Sequence, residues 1–82
     1  MVLLYVKMDD LLELYNKYIK SEYTIEDVSR ILSYAVFDGI DFLTLENSEY
    51  EIEKARFTVN EVDQKKIVCS VLKKLISQAN TK

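Results

Sequence analysis

An 82-residue chain with 49% apolar and 30% charged side chains is expected to fold as one small domain around a single core, and is not expected to be disordered. One glycine and no proline argue against a β-rich fold of this length, whose tight turns draw on both residues, and point to helices joined by short polar connections. A single cysteine and no histidine exclude an intrachain disulfide, a cysteine-built metal site and the commonest catalytic base.

The opening run Val2-Leu3-Leu4-Tyr5-Val6 is open between a short strand and an N-terminal extension of the first helix. It is too short to span a bilayer, and it lacks the basic leader and small-residue cleavage site of a signal peptide. A cytoplasmic protein with no membrane partner is therefore expected. The first helix is expected from Asp9 to Lys20. Leu11, Leu14, Tyr15, Tyr18 and Ile19 recur on one face, and Glu13 and Lys17 form a favourable i,i+4 pair outside it.

Ser21-Glu22-Tyr23 connects to a second helix opened by Thr24 as N-cap, with Asp27 three residues on, close to the capping-box pattern in which Glu or Gln is usual. Its stripe is Ile25, Val28, Ile31, Leu32, Ala35 and Val36, and Asp38-Gly39 is expected to close it, with Gly39 at C′. Ile40 to Leu45 reads equally as a strand or a helical turn. Asn47-Ser48 breaks the pattern, and Ser48 with Glu51 forms a capping box that favours a short helix from Glu49 to about Phe57 over the rival strand through Tyr50 and Ile52, whose alternation fails at Lys54 and Arg56. Asn60 and Asp63 cap the last helix, from Glu61 to about Ala79, with Val68, Val71, Leu72, Leu75, Ile76 and Ala79 as its stripe. Lys65, Lys66, Lys73 and Lys74 are expected on the side opposite that stripe. The fold class is thus all-α: residues 1–82 as one compact bundle of three to four helices, with the N-terminal strand left open.

Chemistry is sparse. Cys69 lies mid-helix beside the apolar stripe, where a thiol packs as a small hydrophobe. Asp38 with Asp41, or Glu49 with Glu53, could share a face, but no calcium loop or phosphate-cradling loop accompanies them. No enzyme activity, cofactor or metal is expected. The chain carries −3 net charge with a pI near 4.9, so nucleic-acid binding through the C-terminal lysines is a minor reading.

Acids are concentrated in the middle: Asp41 to Asp63 holds seven of them against Lys54 and Arg56. Several lie in expected first turns, where they complement the helix dipole. The acidic middle still suggests a negative surface for a basic partner protein, made of Asp38, Asp41, Glu46, Glu49, Tyr50, Glu51 and Glu53. Once the first-turn acids Glu49 and Glu51 are set aside, Asp38, Asp41, Glu46, Glu53 and Tyr50 are left as its narrower centre. Tyr5, Tyr23, Tyr34 and Tyr50 are the tyrosines available as surface anchors, Tyr15 and Tyr18 being assigned to the core. In size, acidity and helical pattern the chain resembles bacterial immunity proteins, antitoxins and phage-encoded inhibitors. That resemblance rests on no motif and transfers no residue. It implies a small inhibitor or immunity-type protein that occupies a cationic site on its target. The alternative is a homodimeric structural or regulatory subunit joined through the apolar face of the first helix.

Overall fold

The computed structural model describes residues 4–37, 39–58 and 60–80. Their order is β1 (Leu4–Val6), α1 (Met8–Ile19), α2 (Ile25–Tyr34), β2 (Ala35–Phe37), α3 (Phe42–Thr58) and α4 (Glu61–Asn80). The class is all-α. The four helices form a bundle of 33 × 23 × 22 Å, and the strands add only a three-residue parallel ladder.

Helix α1 begins where the Asp10 carboxylate accepts the Lys7 backbone N–H at 3.2 Å, with Asp9 beside it in the first turn. Leu11, Leu14 and Tyr18 are buried. Burial raises the Tyr18 phenol above its ordinary pKa, with the Cys69 thiol and Glu61 adding smaller effects. The helix ends on a Schellman turn: the Ser21 N–H donates to the Tyr18 carbonyl at 3.1 Å and the Glu22 N–H to the Lys17 carbonyl at 2.9 Å. Ser21 must then take the left-handed conformation, φ 64°, which strains any residue with a Cβ. Ser21→Gly is therefore expected to stabilise the protein by about 1 kcal/mol. A urea midpoint that rises with an unchanged m-value is the check, and an unchanged midpoint would argue against strain at this turn.

Helix α2 opens as the sequence suggests. The Thr24 N–H donates to Asp27 Oδ2 at 2.9 Å and the Asp27 N–H returns to Thr24 Oγ1 at 3.3 Å. Ile25, Val28 and Leu32 enter the core. The helix stops at Tyr34, however, two residues short of the stripe's expected end at Val36. Ala35–Phe37 is extended and pairs in parallel with Leu4–Val6, in the register Leu4↔Ala35, Tyr5↔Val36 and Val6↔Phe37. Val36 and Phe37 suit a strand as well as a helix, and the N-terminal run supplies the ladder partner that decides between them. Of the open N-terminal segment, Leu4–Val6 is strand, while Val2 and Leu3 lie outside the described residues. Gly39 does not close α2. It takes φ 85° in the turn after β2, where the Ile40 N–H donates to the Phe37 carbonyl at 3.4 Å.

The largest departure is α3. It starts at Phe42 and runs seventeen residues, so Asn47-Ser48 is neither a break nor a cap. Ser48 is buried mid-helix, and its hydroxyl donates to the Thr44 carbonyl one turn back at 2.8 Å. The N-cap is Asp41, whose Oδ1 accepts the Thr44 N–H at 2.7 Å. Helix α4 agrees with expectation: Asn60 Oδ1 accepts the Asp63 N–H at 2.9 Å, and Val68, Leu72 and Leu75 are buried. Lys65 departs from the expected lysine face. It is half-buried and donates to the Ile19 carbonyl at the end of α1 at 3.1 Å, leaving Lys66, Lys73 and Lys74 exposed.

Helix α4 packs against both α1 and α3, and α3 packs in turn against α2, while α1 and α2 meet over a smaller area. The core lies between them, closed at the strand end by Phe37. This order leaves one side of α3 facing solvent.

Candidate functional site

The exposed side of α3 follows from its sequence once both ends of the helix are fixed. Leu45, Ser48, Ile52 and Ala55 point inward against α2 and α4. Leu43, Tyr50 and Phe57 are each seven residues apart, so at about 100° per residue they fall almost on one line. That line points outward: the three side chains are 69%, 63% and 74% exposed. Phe42 is exposed as well. Helix α3 is therefore apolar on two faces. Exposed apolar residues scattered singly are common on protein surfaces, whereas these three are aligned along one helix.

Glutamates run beside the row. Glu46 and Glu53, again seven residues apart, lie roughly 40–60° to one side, between the row and α2, while Asn47 and Lys54 lie on the other. Glu53 accepts from Arg56 Nη1 at 2.8 Å and from the Ser29 hydroxyl of α2 at 3.4 Å. Arg56 also lies 3.9 Å from Glu26 and 5.2 Å from the Phe57 ring centre. The Lys54 ammonium sits 5.4 Å from the Tyr50 ring centre, covering part of an otherwise open aromatic face. Glu49 is half-buried on the same flank as Glu46. Burial first, and the Glu46 charge second, push its carboxyl above the ordinary glutamate value.

Because the folded state favours protonated Glu49, ionisation there works against folding as pH rises through its folded pKa. Glu49→Gln is expected to raise the thermal midpoint slightly at pH 7, and the gain should vanish below the ordinary glutamate pKa of 4.5, where both side chains are neutral. Melting curves at the two pH values check this; equal gains at both would remove the electrostatic explanation.

Among the sequence-derived candidates, Glu46, Glu49, Tyr50 and Glu53 come together on this face. Asp41 does not belong to it. Its carboxylate caps α3 and accepts from Gln78 Nε2 at 3.3 Å, and the Thr44 N–H above all holds its pKa below the usual carboxylate range. Glu51 points to the opposite flank. There it lines a shallow groove of about 640 Å³ with Thr44, Asn47 and Ser48, against Lys66, Ser70 and Lys74 of α4. Asp38 lies outside the described residues. Leu43 and Phe57 were missed by the sequence reading, and their seven-residue spacing with Tyr50 was the available signal.

The other proposed surfaces are less open. The apolar face of α1 is largely turned inward: Leu11, Leu14 and Tyr18 are buried, Leu12 and Tyr15 half-buried, and only Ile19 is exposed. A dimer through that face has little apolar area left to bury. Of the tyrosine anchors, Tyr34 and Tyr50 are exposed, Tyr23 is half-buried with Lys17 5.3 Å from its ring centre, and the Tyr5 side chain is not among those described. Among the described residues no group of three or more acidic or cysteine side chains could hold a metal ion, and no helix is long and apolar enough to cross a membrane.

Compared with known proteins, the chain matches no family model, no curated protein and no solved structure.

Proposed function

We propose that this chain is a protein-interaction module without catalytic activity, and that the outward face of α3 binds a basic partner protein in the manner of an inhibitor or immunity-type protein. One observation carries the reading: an exposed row of Leu43, Tyr50 and Phe57 bordered by Glu46 and Glu53. Apolar side chains supply affinity when a partner removes them from water, at roughly 25 cal/mol per Å² of buried apolar area. Carboxylates beside them steer a cationic partner and repel an anionic one. Tyrosine adds an anchor with few rotatable bonds. The non-enzymatic part of the reading is supported by the lack of histidine in the chain and by the half-buried setting of Cys69 within α4.

Wild-type chain and a Glu46→Lys/Glu53→Lys variant, each immobilised and exposed to extract from the native host, provide the test. A basic protein held by the wild type, released by added salt and lost by the variant supports the reading. Equal retention by both forms would sink it.

A further inference from the structure

We infer that the element received by α3 is itself an amphipathic helix, apolar along one side and rich in lysine or arginine on one flank, lying lengthwise along Leu43, Tyr50 and Phe57. This rests on the reading that the outward face of α3 is the binding surface, and it names the shape and charge of the partner.

The row is a ridge on a convex cylinder, not a pocket. Its side chains recur every seven residues, about 10.5 Å apart, over roughly 21 Å in all. A strand laid along it would present same-face side chains every 6.6 Å or so, out of step with the ridge after the first contact. A second helix repeats on the same seven-residue period, so its apolar residues can settle into each gap between Leu43, Tyr50 and Phe57. Glu46 and Glu53 share that period, and one lysine or arginine per two turns of the partner would meet both. The opposite flank, with Asn47 and Lys54, offers no such match, so the partner's basic side is a single one.

Charge also decides against the nearest competing occupant. A second copy laid antiparallel along the row would set the flank of Glu46 and Glu53 against the same acidic flank of the other copy. Nucleic acid and anionic lipid are repelled by the same carboxylates.

The test uses three synthetic peptides of about three heptads each. One carries leucines on one face and lysines on the flanks, the second replaces the lysines by glutamates, and the third is the lysine peptide with two central prolines. Binding to the full chain is followed by fluorescence anisotropy, and peptide helicity by circular dichroism. The lysine peptide is expected to bind at least about tenfold more tightly than either control and to gain helicity on binding. Leu43→Ser/Phe57→Ser, and separately Glu46→Lys/Glu53→Lys, are each expected to weaken it by about tenfold or more. All four positions are exposed, and an unchanged melting curve confirms that each variant is folded. Equal binding of the proline peptide, or no binding of the lysine peptide, overturns the helical partner while the host-extract comparison still judges the basic-partner reading. Equal binding of the glutamate peptide overturns both. So does a wild-type dimer in the ultracentrifuge that Leu43→Ser/Phe57→Ser dissolves, because the occupant is then a second copy.

Discussion

Leu72→Ala is expected to remove about 3 kcal/mol of stability, a large share of what a domain of this size holds. Leu72 is fully buried in the middle of α4, the helix that packs against both α1 and α3. Truncation there loses the transfer free energy of the side chain and leaves a cavity walled by separate helices, none of which can move in without disturbing another contact. A chain of 82 residues holds only about 4–12 kcal/mol in total. The matched control is Leu43→Ala, the same change on the exposed face of α3, expected to alter stability by no more than about 0.5 kcal/mol. Urea unfolding of both variants checks the contrast. A loss at Leu72 no larger than that at Leu43 would mean that α4 is not the centre of the core.

The second contrast separates two acids that look alike in the sequence. Asp41→Ala is expected to lower the thermal midpoint at pH 7 by several degrees, because the Thr44 N–H loses its acceptor, the Gln78 amide keeps only its bond to Thr44 Oγ1 of the two it makes to Asp41 and Thr44, and the first turn of α3 is uncapped. Its folded-state pKa is depressed, so the stabilisation it gives is present above the ordinary aspartate value of 3.8 and fades as pH falls through the lower folded value. The gap between wild type and variant should therefore close in acid. Asp27, held down by the Thr24 N–H and hydroxyl, follows the same sign and adds to the acid limb. Glu46→Lys/Glu53→Lys, by contrast, should leave the melting curve nearly unchanged and reduce binding of the lysine peptide. If Asp41→Ala melted like the wild type, the cap would be unimportant. If Glu46→Lys/Glu53→Lys unfolded the protein, those glutamates would be structural as well.

The helix starts at Thr24 and Asn60, and the one at Asp9-Asp10, were legible because capping and i,i+4 pairing involve residues within a turn of each other. The buried stripes of α1 and α4 were legible for the same reason: Leu11, Leu14 and Tyr18, or Val68, Leu72 and Leu75, repeat at the helical period with polar residues between. Helix α3 was not. With Leu45, Ile52 and Ala55 on one side and Leu43, Tyr50 and Phe57 on the other, its two apolar faces cancel in any search for a single stripe, and Ser48 then passes for a cap. The end of α2 was hidden too, since Ala35–Phe37 becomes a strand only through pairing with Leu4–Val6, about thirty residues earlier.

Local chemistry in the sequence thus determined that this is a helical protein, where three of its helices begin, and that its middle is acidic. Only the tertiary structure decided which face of α3 is inside. That choice belongs to α2 and α4, which cover Ile52 and Ala55 and leave Tyr50 in water. It also divided the acids, turning Asp41 into a cap and Glu51 toward α4, and leaving Glu46 and Glu53 beside an open apolar row.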